Sequence, residues 1–129
     1  MSTLAERIGQ ALARAKLAQV RAMGGTVSFS HRGAAAVTLY AEITESAHAL
    51  ELSRAGHSVT EERILRLVVP TDQPGFAAPT NGLEPVTPGD KVVHRGRTYF
   101  VCPPVRTEAY GQIYRLRCSE RRRLASNVP

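Results

Sequence analysis

Hydrophobic residues are spaced in two different ways along this chain, and the spacing changes at Gly24. Before Gly24 they recur every three or four positions, as they do along one side of an α-helix. These residues are Leu4, Ile8, Leu12 and Ala15. After Gly24, apolar and polar residues alternate, as they do in half-buried β-strands. The pattern predicts an N-terminal helix over residues 1–24, followed by strands.

Both ends of the predicted helix carry recognisable signals. Thr3 and Glu6 have the spacing of a capping box, in which two side chains satisfy the unpaired backbone N–H groups at a helix start. The pair Gly24-Gly25 is expected to end the helix, because glycine can adopt the left-handed conformation that closes a last helical turn.

The rest of the chain reads as short strands joined by turns. The alternating segments are 27–30, 37–43, 48–53, 64–69, 91–93, 98–101 and 112–118. The tripeptide His-Arg-Gly occurs at 31–33 and 94–96, and each copy is predicted to form a turn because glycine readily takes a positive φ. Pro103-Pro104 is expected to end the second hairpin. The predicted fold class is α+β, mainly β: an N-terminal α-helix, then a small antiparallel β-barrel or sandwich of about six or seven strands.

A chain of 129 residues is long enough for a single domain and leaves little room for a second. Its predicted segments are the helix (1–24), a first β half (26–69), a loop arm (70–90), a second β half (91–119) and a basic tail (120–129). The loop arm contains five of the eight prolines, which lack the N–H group that a strand ladder needs. We expect this loop arm to have no core of its own and to become ordered on docking.

The net charge of +6 is concentrated at the two ends of the chain. Residues 1–24 carry +3 and residues 115–129 carry +4, whereas the middle is nearly neutral. The candidate contact residues are Arg7, Arg14, Arg21, Arg115, Arg117, Arg121, Arg122 and Arg123. This distribution favours an anionic partner at the ends, either nucleic acid or an acidic protein surface. The alternative is that these charges serve solubility alone.

The sequence contains no recognisable catalytic or metal-binding constellation. The four histidines fall in four different predicted segments, without the spacing that places two ligands on one helix face. Cys102 and Cys118 are too few for a four-cysteine zinc site and are expected to be buried thiols. Glu61 and Glu62 are adjacent, so on a strand they would point to opposite faces and form a poor acid–base pair. We expect a protein that is not an enzyme, with no cofactor, no metal and no membrane association.

An aromatic cluster near the end of the chain allows two interpretations. Tyr99, Phe100, Tyr110 and Tyr114 are interleaved with arginines. Exposed aromatics on a barrel can stack on bases, which would suit a small monomeric nucleic-acid-binding β-barrel. Alternatively, Tyr99 and Tyr114 pack across neighbouring strands in the core or at its rim, and this is the interpretation we favour.

The order of motifs over residues 64–120 resembles a known family. The motifs are Pro88-Gly89-Asp90-Lys91-Val92, Gly96 followed by Tyr99-Phe100-Val101, and Tyr114-Arg115-Leu116 followed by Glu120. This order is similar to that of tailed-bacteriophage neck proteins, the head–tail joining, head-closure or connector family. Members of that family resemble small β-barrels or sandwiches that form rings between portal and tail.

The resemblance implies a structural virion protein of the phage neck, made in the host cytoplasm and located in the virion. It implies a homo-oligomeric ring with a portal or adaptor protein on the head side and a tail protein on the other. Phage DNA would pass through the ring, and the loop arm would reach a neighbouring subunit. The family offers no catalytic residues to transfer to this chain.

Overall fold

A computed structural model describes residues 3–52, 59–77 and 83–120 of the chain. In order, its elements are α1 (Leu4–Met23), β1 (Gly25–Ser30), β2 (Val37–Leu52), β3 (Val59–Pro70), β4 (Lys91–His94), β5 (Arg97–Glu108) and β6 (Ile113–Ser119). The strands form a closed antiparallel barrel in the order β1-β2-β3-β6-β5-β4, and β4 pairs with β1 to close it. This confirms the predicted class: a helix followed by an antiparallel barrel, mainly β.

The barrel interior is filled by side chains that alternate along the strands, as the period of two predicts. The core consists of Val27, Phe29, Leu39, Ala41, Leu65, Leu67, Val69, Phe76, Val86, Val92, Tyr99, Val101, Tyr114, Leu116 and Cys118. At its centre the ring of Phe76 packs edge-on against two others, with centroids 5.7 Å from Phe29 and 5.3 Å from Tyr114. These are favourable geometries for aromatic pairs.

Both His-Arg-Gly tripeptides form turns, as predicted. Arg32 and Gly33 have φ values of 50° and 75°, and Arg95 and Gly96 have φ values of 51° and 78°. Two successive residues with positive φ are what a tight turn between twisted antiparallel strands requires. The repeat therefore reflects the same turn chemistry used twice.

Two strand boundaries differ from the prediction. β2 is one strand of 16 residues, where the sequence pattern suggested two separate strands. β5 continues through Pro103-Pro104, so the expectation that these prolines end the hairpin was wrong. The pairing of β5 with β6 shifts register between Cys102 and Arg106, so the prolines fall where the ladder is interrupted. A local interruption accommodates two residues that cannot donate a backbone hydrogen bond.

The described parts of the predicted loop arm, 71–77 and 83–90, pack against the barrel. Phe76 and Val86 are buried in the core. The buried Gln73 accepts a hydrogen bond from the Tyr40 backbone N–H at 2.8 Å and donates to the Tyr40 carbonyl at 3.0 Å, as a neighbouring strand would. These stretches thus differ from an arm without a core, because single buried side chains anchor them. Residues 78–82 lie outside the described part of the chain.

Asp90, in the Pro88-Gly89-Asp90 turn, joins two distant parts of the chain. Its buried carboxylate lies 2.6 Å from His31 Nδ1 and accepts the Arg32 backbone N–H at 3.0 Å. It also accepts the backbone N–H and the hydroxyl of Thr87, at 2.8 and 3.1 Å. Asp90 is therefore a turn residue whose carboxylate bonds nearby backbone. The same side chain also holds the β1–β2 turn in place.

The β2–β3 hairpin is longer than the barrel that it helps to form. β1 pairs with β2 only over residues 37–41, and β6 pairs with β3 only over residues 64–70. In the described registers, residues 47–52 of β2 and 59–63 of β3 pair only with each other. We call these two stretches the hairpin extension. At about 3.4 Å per residue it lengthens the ladder by roughly 17–20 Å.

Candidate interaction surface

Small side chains dock helix α1 against the barrel. Its buried residues are Gly9, Ala13, Leu17 and Val20. A Cβ atom added to Gly9 would lie 2.5 Å from the Ala109 carbonyl oxygen in the β5–β6 turn. Backbone cannot yield there as a flexible side chain can, so the close approach of helix and barrel depends on glycine.

The stripe of larger apolar residues predicted from the sequence lies on the outside of the helix. Leu4, Ile8 and Leu12 are 67%, 42% and 48% exposed, and Ala15 is also exposed. Residues four apart are neighbours on a helix surface, so these side chains form one band. We call Leu4, Ile8, Leu12 and Ala15 the apolar stripe. Helical periodicity identified the members of this stripe. It did not show that the opposite face of the helix, which carries Gly9 and Ala13, would pack against the barrel.

A shallow groove of about 410 Å³ runs beside the apolar stripe. Its lining residues are Leu12, Ala15, Lys16, Gln19, Glu108, Ala109 and Ile113. Tyr110, which is 65% exposed, lies in the same β5–β6 turn. Apolar surface therefore continues from the helix onto the barrel.

Because Gly9 is needed for helix docking, Gly9→Ala should destabilise the protein despite the better helix propensity of alanine. Alanine gains about 1 kcal/mol in a helix relative to glycine. Displacing the helix from the Ala109 carbonyl should cost more, which leaves a net loss of about 1–2 kcal/mol in the free energy of unfolding. Urea denaturation measures this, with Ala11→Gly on the exposed side as the control, where propensity alone predicts a loss of about 1 kcal/mol. If Gly9→Ala instead raises the free energy of unfolding, the helix does not approach the Ala109 carbonyl as closely as the structure shows.

The helix ends confirm one predicted cap and correct the other. The Thr3 hydroxyl accepts the Glu6 backbone N–H at 3.1 Å, as expected of an N-cap. Gly24 is extended, with a φ of −92°, and Gly25 does not have a positive φ either, so the left-handed cap expected at Gly24-Gly25 was wrong. Glycine is required for a different reason, because a Cβ atom at Gly24 would lie 2.5 Å from the Ala41 carbonyl oxygen.

The three helix arginines lie along one exposed side of α1, and only one has a described aromatic contact. The Arg21 guanidinium lies 5.6 Å from the centroid of the Tyr40 ring, within the range of a cation–π interaction. Arg14 lines a hollow with Thr71 and Asp72. Arg7 is exposed. We call Arg7, Arg14 and Arg21 the arginine row.

Of the predicted C-terminal arginines, the structure describes Arg115 and Arg117, both on β6. Arg115 is exposed on β6 and donates to Glu108 at 3.0 Å, which raises the pKa of its guanidinium above the ordinary value. Arg117 is half-buried on the same strand. Arg121, Arg122 and Arg123 lie outside the described residues.

The late aromatic cluster is divided between the core and the surface. Tyr99 and Tyr114 are fully buried, and their hydroxyls donate to Glu45 at 2.9 Å and to Glu84 at 2.6 Å. Phe100 is half-buried, and Tyr110 is exposed. The core interpretation of Tyr99 and Tyr114 is confirmed, so these two rings are not available for stacking on bases.

Alkaline pH should weaken the fold through the buried tyrosines. Burial, followed by the hydrogen bond to Glu45, raises the pKa of Tyr99 to about 12, and burial likewise raises the pKa of Tyr114. An unfolded tyrosine titrates near pH 10. Between about pH 10 and 12 the unfolded chain therefore loses protons that the folded chain keeps, and the free energy of unfolding falls as the pH rises. Urea denaturation across this pH range should show that the free energy of unfolding falls less steeply with pH for Tyr99→Phe than for the wild type. The same pH dependence in both proteins would contradict a raised pKa for Tyr99.

The described histidines lie apart from the two cysteines, which are neighbours on the paired strands β5 and β6. His31 contacts Asp90, whereas Nδ1 of His94 is buried with no hydrogen-bond partner among the described residues. Both cysteine side chains are buried, and burial raises the pKa of Cys118 above its ordinary value. Over residues 3–52, 59–77 and 83–120, no three histidine, cysteine or acidic side chains are placed to hold a metal ion. His57 lies outside these ranges, and His48 is placed by its backbone in β2.

No family model and no curated protein matches this chain. In the described part of the chain, no helix has both the length and the hydropathy that crossing a bilayer requires.

Proposed function

We propose that this chain is a structural protein of the phage neck that assembles as a ring joining the DNA-filled head to the tail. The observation that carries the proposal is the apolar stripe, which lies on the solvent side of a helix already docked on a closed barrel. Soluble monomers seldom leave a contiguous apolar band exposed, and such bands commonly mark contacts with another protein. The resemblance of residues 64–120 to neck proteins supplies the identity of the assembly.

The proposed ring has unlike neighbours on its two sides. A portal or adaptor protein lies on the head side, a tail protein on the other, and phage DNA passes through the centre. Identical head-to-tail contacts close into a ring when their rotation closes, which provides two faces for two partners. The basic ends of the chain meet anionic surfaces in this assembly.

Tail joining tests the proposal directly. DNA-filled heads from a phage in which this gene is disrupted should bind tails only after the purified chain is added. Deleting residues 121–129 should reduce joining, because it removes Arg121, Arg122 and Arg123 from the basic tail. A deletion from residue 115 would be uninformative, since Leu116 and Cys118 belong to the core. Heads that join tails equally well without the chain would refute the neck assignment.

The rival assignment, a monomeric nucleic-acid-binding barrel, is a distinct outcome of the same study. It predicts that a monomer binds DNA or RNA with an affinity that falls steeply as salt rises, because bound counterions are released. Such binding without any effect on tail joining would favour the rival.

A further inference from the structure

The outward side of helix α1 is apolar along most of its length, beyond the apolar stripe itself. Ala11, Ala18 and Ala22 are also exposed on this helix. At about 100° per residue, these alanines fall within or beside the sector that the apolar stripe covers. Together with the stripe they form a band about 27 Å long, from Leu4 to Ala22. We call this band the outer face; its alanine side chains are short, so a second helix can approach it closely.

The arginine row borders the outer face along one edge. Residues seven apart are nearly two helical turns apart, so the row stays on one edge, roughly a quarter turn from the middle of the outer face. The ion pairs of the described chain involve Lys16, His31, Arg97 and Arg115, and none involves the arginine row. The helix itself has one acidic residue, Glu6. The row is therefore a line of positive charge that no described acidic side chain pairs with.

A second copy of α1 does not match both features. Antiparallel pairing of two outer faces about a two-fold axis would place both arginine rows along the same edge, where they repel each other. Parallel pairing would place each row beside the other edge of the partner helix, which carries Lys16 and Gln19 and no acidic residue.

DNA matches the arginine row but not the outer face. Phosphates would attract the arginines, but protein–DNA interfaces are polar and strongly basic, and an exposed apolar band contributes little to them. An occupant that matches both features is an unlike protein that is apolar where it meets the outer face and acidic where it meets the row.

We propose that the outer face binds an amphipathic helix of an unlike partner, with acidic side chains along the edge that meets the arginine row. Apolar contacts would supply the affinity, and the acidic edge would set the register and orientation of the bound helix. The groove beside Leu12, which Ala109 and Ile113 also line, has room for the larger apolar side chains of the partner. This inference rests on the proposed function where it identifies the partner as one of the two unlike neighbours of the ring.

Synthetic peptides test this contact on the full chain without any phage component. The probe is a helix of about three heptads with leucine on one face and glutamate on both edges, which makes copies of the peptide repel one another. The comparison peptide has the same leucines and lysine in place of each glutamate. Titration calorimetry should show that the acidic peptide binds at least about tenfold more tightly than the basic one. This preference should decrease as the salt concentration rises.

Two variants of the chain separate the charged contribution from the apolar one. Arg7→Glu/Arg14→Glu should weaken binding of the acidic peptide at least about tenfold and strengthen binding of the basic peptide. Leu4→Gln/Ile8→Gln should weaken binding of both peptides, because it removes apolar surface without changing the charge. Circular dichroism should show the helix content and thermal midpoint of the wild type in each variant, so that lost binding is not lost folding.

A matched charge reversal elsewhere on the chain is the control. Arg32 and Lys91 are exposed and line a hollow that no residue of α1 lines. Arg32→Glu/Lys91→Glu changes the net charge by the same amount as the helix variant. At physiological salt, where distant charges are screened, it should change the affinity for the acidic peptide by less than about twofold.

Four results would overturn the inference. The first is an acidic peptide that binds no more tightly than the basic one, or that does not bind at about 1 mM. The second is an unchanged peptide preference in Arg7→Glu/Arg14→Glu. The third is self-association of the wild type that Leu4→Gln/Ile8→Gln abolishes, which would make a second copy the occupant. The fourth is duplex DNA binding that the arginine variant loses and the glutamine variant keeps, without binding of the acidic peptide.

Tail joining distinguishes failure of this inference from failure of the proposed function. If both helix variants restore joining as well as the wild type does, the neck assignment stands and this contact is wrong. If the peptides behave as expected but the chain does not join tails to heads, the contact stands and the neck assignment is wrong.

Discussion

Replacing Asp90 with alanine is expected to lower the free energy of unfolding by about 3–4 kcal/mol. The carboxylate has two donors in Thr87 and one in the Arg32 backbone, and it also contacts His31. Alanine would leave these groups without their partner in a part-buried site. Asp90→Asn should lose less, because an amide oxygen still accepts, although the –NH₂ group faces a donor.

Urea denaturation measures the Asp90 effect, and amide exchange locates it. Exchange should accelerate both in the 31–33 turn and at 84–90, because Asp90 ties the two together. The control is Glu120→Ala, whose carboxylate meets Arg97 at 3.2 Å on the surface and should cost less than about 1 kcal/mol. Equal losses for the two alanine variants would mean that Asp90 is an ordinary surface carboxylate.

Phe76→Ala is expected to cost about 3–5 kcal/mol of unfolding free energy, as large-to-small changes in aromatic cores do. The side chain is fully buried between Phe29 and Tyr114. Phe76→Leu keeps most of the volume and should cost about 1–1.5 kcal/mol.

A comparison within the 70–90 segment makes the Phe76 prediction specific. Leu83 is 66% exposed, so Leu83→Ala should change stability by less than about 0.5 kcal/mol. A Phe76→Ala variant as stable as Leu83→Ala would mean that the segment is an unpacked arm, as its composition alone suggested.

Local patterns predicted the elements of this fold better than their packing. The capping residue Thr3, the two His-Arg-Gly turns and the alternating strands depend on near neighbours, and the structure has each of them. The inner side of the helix could not be predicted in this way. Periodicity shows which residues share a face of the helix. Which face packs against the barrel depends on a tertiary contact, the close approach of the Gly9 backbone to the Ala109 carbonyl oxygen.

The candidate surface was only partly visible in the sequence. The sequence pattern identified both the apolar stripe and the arginine row. It did not predict that the apolar stripe is exposed. A signal was present, because the helix carries a second apolar face that includes Leu17 and Val20, and one barrel can cover only one face. The hairpin extension was missed because the pattern weakens between Ile43 and His48, where β2 continues without a break.

Similarly, the composition of residues 70–90 excluded a central strand but could not show where single side chains go. Proline and glycine limit backbone pairing, yet they do not prevent Phe76 or Val86 from filling a space inside the barrel. Long-range packing of this kind depends on the closed shape of the barrel, which no local segment encodes.

Imaging the head vertex tests the central claim most directly, namely that this chain acts by assembling with copies of itself. DNA-filled heads lacking the chain should be imaged by electron microscopy before and after the purified protein is added. The account predicts a closed ring of identical copies at the portal vertex. A vertex that gains no density, or a single copy bound without neighbours, would contradict it.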